Sequence, residues 1–257
     1  MKLLKALAFV VVLEMAFVTH EYGHFTEMRK RNIEVAEFSL GIGPVLYQKK
    51  LSDVAVSVRA IPIMAYVAPS EKGQKKIDES SLYDRFLIHS AGVRNNFLSL
   101  MVVVLFLQVL GRFRGYYRNG LLADILILPF SITVSAVNYG LNLLTFGRVK
   151  LSDNGLTIFT GGFFDKGRNE GRISVFAVRS FLLLSLMLGA FNSFPLFPLD
   201  GGRIFIDFIR LFMSERVVSL IAFLSQPVIV MLFFMARQTV AAFDFEVKQP
   251  EDQKTPQ

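Results

Sequence analysis

Long apolar runs recur along this chain. They cover residues 3–25, 86–110, 173–199 and 217–235, each near the ~20 residues a helix needs to cross a bilayer. A fifth apolar stretch, 121–146, differs from these because it carries Asp124, Pro129, Asn138 and Asn142. Between the first two runs the pattern changes. Residues 35–47 and 54–67 are rich in Val, Ile, Phe and Tyr and flank the polar segment 48–53, which predicts a β-hairpin over 35–67. Residues 71–81 read as a charged loop and 243–257 as a polar tail. The expected fold is an α-helical multi-span membrane protein in which residues 1–242 form one membrane-embedded core. It has about four transmembrane helices, a membrane-associated hairpin, and a surface or re-entrant helix at 121–146. The two lysines ahead of the first run resemble a signal peptide. No small-x-small cleavage site follows, so the run reads as a retained span.

Ionisable residues interrupt two of these runs. The first ends in His20-Glu21-Tyr22-Gly23-His24, and the third in Asn192-Ser193-Phe194-Pro195-Leu196-Phe197-Pro198-Leu199-Asp200-Gly201. Histidines four apart share one helix face and can reach one ion, while the glutamate between them can take a proton from a water. Catalytic zinc sites use three protein ligands, and Asp200 is the best candidate for the third. A charge inside a span costs ~2.5–3.5 kcal/mol on insertion scales and so marks function. The bland alternatives are two mutually satisfied histidines and an Asp-Gly-Gly helix stop. Pro195 and Pro198 break the third run, which is tolerable in lipid only where the freed backbone lines a cavity. Asn192 can hold a substrate backbone, or simply bond to a neighbouring helix. Glu14 projects near the face of Glu21 and is left outside the site, and His89, without a ligand-spaced companion, reads as structural.

A shared ion constrains topology. His20, His24 and Asp200 all lie toward the C-terminal ends of their runs, so the first and third spans must run in the same direction. An odd number of crossings then separates them, so with a shared ion 121–146 does not cross; the alternative, on hydropathy alone, is a plain fifth crossing.

Composition narrows the class. Mean hydropathy is +0.46, and 53% of residues are hydrophobic, 26 of them Phe, too apolar for an ordinary soluble domain. A net charge of +7 beside such runs points to lipid headgroups rather than nucleic acid. The cluster Arg29-Lys30-Arg31 favours a cytoplasmic end for the first span. Cysteine is absent, so a metal must rely on His and carboxylate, a donor set that does not choose among zinc, manganese and iron.

HEYGH in a first span with NSFPLFPLDG in a later one resembles the site-2 protease family of zinc intramembrane metalloproteases, matching its patterns HExxH and NxxPxxxLDG. The segment 37–44, Arg59-Ala60-Ile61-Pro62 and Ala91-Gly92-Val93-Arg94-Asn95-Asn96-Phe97 resemble the hairpin and second-span start of its RseP-like branch. The resemblance implies one Zn²⁺ per chain on His20, His24 and Asp200, with Glu21 catalytic and Asn192 contacting substrate. It also implies a single-span membrane protein as substrate and a bacterial cytoplasmic (inner) membrane as location. Val93 and Arg94 depart from the usual proline and small residue, and Met64-Ala65 from the usual Gly-Gly. The branch's PDZ domains have no counterpart, since 111–120 is a short Arg/Tyr-rich turn. Three rivals stand beside this reading. One is an HExxH protease acting outside the bilayer core. Another is an inactive scaffold for membrane helices, and the last is a metal transporter. Oligomeric state is open.

Overall fold

The computed structural model describes residues 2–113 and 172–227. The segments 121–146 and 243–257 lie outside these, and the expected span at 217–235 is described only to residue 227. The described residues are mostly helical with one two-stranded antiparallel sheet.

Helix α1 (Lys2–Lys30) has no proline, and its Leu, Ala, Met, Glu and Lys residues offset the weaker Val, Phe and Thr. Arg29 and Lys30 close its last turn, where cations suit the negative end of the helix dipole. Its one internal glycine, Gly23, is needed for packing, because a Cβ there would overlap the carbonyl of Ala91.

The hairpin consists of β1 (Val35–Leu51) and β2 (Val54–Pro69). The strands outrun expectation, since Gln48 pairs with Ser57 and Lys50 with Ala55. The reversal is confined to Ser52 and Asp53, with Ser52 at φ +56°. Residues 48–51 of β1 bury neither face, so they carry no alternating pattern to betray a strand. Gly41 and Gly43 have φ +82° and +86° and sit where the register against Ile61 and Arg59 slips. That is the bend their position inside a strand suggested.

Residues 71–78, expected as loop, form helix α2 (Glu71–Asp78). Ser70 Oγ caps it by accepting from the Gly73 amide at 3.1 Å. A single apolar side chain, Ile77, anchors it in a cluster with Met28, Ile33, Val35, Val54 and Ile88. One buried apolar side chain, with Gly73 the only other buried residue, is too little to show as a helical period.

The second apolar run is bent. Helix α3 (Leu82–His89) meets α4 (Ala91–Phe113) at 45°. At the bend the Leu87 carbonyl accepts from Arg94 Nη2 at 2.7 Å and the Ile88 carbonyl from His24 Nδ1 at 2.9 Å. Side chains drawing carbonyls out of the helical ladder are a known cause of kinks. Helix α5 (Ile173–Asn192) packs on α4 through Leu100, Val104, Leu107, Leu182 and Leu186. Lys5 Nζ stands 5.8 Å from the Phe176 ring centroid, so the N-terminal ends of α1 and α5 adjoin. The two helices run in the same direction, as a shared site requires.

The chain then breaks at 193–199 and restarts as α6 (Asp200–Ile209). Asp200 opens a helix on the far side of the break, so the run over 173–199 is helical only to Asn192. The glycine pair serves close approach. A Cβ on Gly201 would overlap the Ser193 backbone, and one on Gly202 the Leu196 backbone. Residues 215–227 form a further helix, α7, which meets α6 at Ile206, Ile209 and Val218. Among the described residues two helices are long and apolar enough to cross a membrane, or three if α3 and α4 count as one bent span.

Candidate metal centre

α1 places His20 and His24 one turn apart, and the restart of the chain at α6 brings Asp200 to them. Asp200 Oδ2 lies 3.1 Å from His20 Nε2 and 3.1 Å from His24 Nε2, and the two nitrogens are 3.3 Å apart. All three residues are buried. A tetrahedral ion with bonds of about 2.0–2.1 Å holds its donors about 3.3 Å apart, so the triangle is of a size that a zinc ion fits. The surroundings agree. A Cβ on Gly92 would overlap both Nε2 atoms, so the residue facing the donors is the one that leaves them room. His24 Nδ1 donates to the Ile88 carbonyl at 2.9 Å. A carbonyl can only accept, which fixes the proton on Nδ1 and turns the Nε2 lone pair into the triangle.

The donors line one wall of a cleft of about 450 Å³ that also takes in Glu21, Asn192 and strand residues 66–69. Glu21 Oε2 accepts from the Val67 amide at 3.1 Å, tying the carboxylate to the outer edge of β2. Asn192 reaches the cleft wall, and its Nδ2 donates to its own helix at Leu188 O, 3.0 Å. Glu14 stands against the backbone of Gly41 and Met64, not in the cleft.

Several contributors were not singled out from sequence. Glu37 accepts from Arg59 Nη2 at 2.8 Å, Tyr66 Oη at 2.9 Å and Ser57 Oγ, stiffening the strand beside Glu21. Burial pushes the Glu37 carboxyl up, but these donors win and hold it below its ordinary value. Asp207, one heptad after Asp200, meets Arg85 Nε at 3.2 Å, His89 Nε2 at 3.4 Å and Arg210 Nη1 at 3.4 Å. Burial raises its pKa, but His89 and the two arginines beside it outweigh that and the net direction is down. His89 is thus structural, as its isolation in the sequence suggested. It joins α3, whose Ile88 carbonyl orients a histidine of the triangle, to α6, which carries the carboxylate. The i, i+7 spacing of Asp200 and Asp207 was the available signal.

The family comparison agrees with this geometry. Residues 8–235 match the model of peptidase family M50. The chain belongs to that family. Its relatives include a Synechocystis sp. protein named as a zinc metalloprotease, 38% identical over 105 residues, 37% of this chain and 29% of the relative. A Pasteurella multocida zinc metalloprotease by name is 31% identical over 116 residues, 40% of this chain and 26% of the relative. The regulator of sigma E protease of Haemophilus influenzae is 32% identical over 103 residues, 35% of this chain and 23% of the relative. These matches span under a third of the relatives' own lengths.

Proposed function

We propose that this chain is a zinc-dependent endopeptidase that cleaves the membrane segments of single-span proteins. The observation that carries the reading is the buried His20–His24–Asp200 triangle beside Glu21 in one cleft. Loaded with zinc, one ion per chain, such a site supplies electrophilic assistance to a scissile carbonyl and a water with pKa near ~7. Glu21 takes the proton of the attacking water and returns it to the leaving amine. Substrate helices hide their peptide bonds and must unwind first. The unwound segment adds to the outer edge of β2 at 66–69, and Asn192 holds its backbone across the cleft. Residues 1–242 act as one core with four spans, at 3–25, 86–110, 173–199 and 217–235, the third breaking before Asp200. The core sits in a bacterial cytoplasmic membrane.

The test uses the full chain purified in detergent, its zinc content and a single-span reporter substrate. Wild type is expected to hold one zinc and cut within the apolar segment. Glu21→Gln is expected to keep zinc and lose cleavage, and Asp200→Ala to lose zinc. Equal cleavage by wild type and Glu21→Gln refutes the mechanism. Cleavage confined to soluble peptides favours the rival protease outside the bilayer core, and no cleavage by zinc-loaded wild type favours the scaffold.

A further inference from the structure

The two histidines of the triangle are not held alike. His24 Nδ1 faces a backbone carbonyl, a partner that accepts and does nothing else. His20 Nδ1 faces the side-chain amide of Asn96 at 3.0 Å. Asn96 is fully buried, one of two adjacent asparagines that α4 turns toward α1. Its neighbour Asn95 is committed to the Thr19 carbonyl. Asn96 has no such second partner. The amide nitrogen is placed toward the ring, and Oδ1, also buried, has no hydrogen-bond partner.

An amide can present either end, and the choice is coupled to the ring. With Nδ2 toward His20, Nδ1 must accept, the proton sits on Nε2, and Nε2 donates to Asp200 Oδ2 at 3.1 Å. A metal on Nε2 requires the opposite tautomer. The proton moves to Nδ1, which then needs an acceptor, and the Asn96 amide meets it by turning through 180°. A leucine of similar shape could serve neither tautomer, and a carboxylate could serve only the loaded one, at the cost of a buried charge.

We infer that Asn96 is the positioning residue for His20, an amide that turns over to match the metal-free and metal-loaded tautomers, making His20 the adjustable ligand and His24 the fixed one. This rests on the metal-site reading above. The protein's own tautomers supply a readout apart from activity.

The experiment measures zinc affinity of the full chain in detergent by chelator competition, with ¹⁵N-histidine spectra of the metal-free and zinc-loaded forms. Wild type is expected to show His20 protonated at Nε2 without metal and at Nδ1 with it, and His24 at Nδ1 in both. Asn96→Leu is expected to bind zinc about 10–100-fold more weakly. Asn96→Asp is expected to stay within a few-fold of wild type and to show the Nδ1 tautomer even without metal. Wild-type affinity in Asn96→Leu overturns the inference, and so does equal weakening in Leu and Asp variants. So does a His20 tautomer that zinc leaves unchanged. His20→Ala separates the premises, because unchanged zinc binding in that variant fails the ligand assignment itself.

Discussion

The two halves of the triangle reach it by different means. His20 and His24 ride on one uninterrupted helix, where the 3.6-residue turn sets their separation, and contacts from α3 and α4 only orient the rings. Asp200 arrives on a helix that starts afresh after a seven-residue break. Its place depends on two glycines pressed against the backbone of that break and on Asp207 tied to Arg85 and His89. The first half is secured by local geometry, the second by contacts between elements distant in sequence. Chemistry should therefore be separable from fold in the α1 half and inseparable from it in the α6 half.

The sharpest contrast comes from Glu21→Gln. Cleavage of a membrane reporter should fall by ~10²–10⁴, with zinc content and melting temperature unchanged. A large loss of stability would show that the α1 half also depends on tertiary support. Next comes Gly202→Ala. The added methyl meets backbone atoms that cannot give way, so stability should drop by about 3 kcal/mol and zinc should be lost with it. Full zinc occupancy at unchanged stability would dissolve the distinction between the halves.

Asp207→Asn should cost about 2 kcal/mol, the worth of a hydrogen-bonded buried charge, measured by denaturation in detergent. The same residue predicts a pH effect. Its native pKa is depressed, so its contribution is whole above the unfolded value of ~3.9. It is lost as pH falls through the native value. Asp207→Asn should flatten that acid limb, and an identical limb in both proteins would remove Asp207 from the latch. The smallest effect belongs to Arg94→Ala, under about 1 kcal/mol because the pair with Glu27 is half exposed. A larger loss would make Arg94 essential to the α3–α4 bend.

Local patterns were read more reliably than boundaries. The first run, the hairpin and the two signatures rest on spacing within a few residues, and each reappears as an element or a cluster. Helix α2 and the strand residues 48–51 were misread because they bury almost nothing. Hydropathy sees burial, not hydrogen bonding. The bend at Ser90 was invisible for another reason. Its cause is a carbonyl taken by His24, 64 residues away in sequence. Arg94, marked in the sequence only as a departure from a family pattern, turns out to hold the other freed carbonyl.

By itself the sequence singled out His20, Glu21, His24 and Asp200 as the candidate site, since helical period fixes what two histidines four apart can share and apolar runs show where a charge is costly. It also required the first and third spans to be parallel. Tertiary structure alone decided that Asp200 begins a helix, that Gly92 clears the space before two imidazoles, and that Asn96 and the Ile88 carbonyl face the outer ring nitrogens of His20 and His24. Those outcomes depend on atoms meeting within about 3 Å across elements far apart in the chain, and no periodicity within one segment encodes such a meeting.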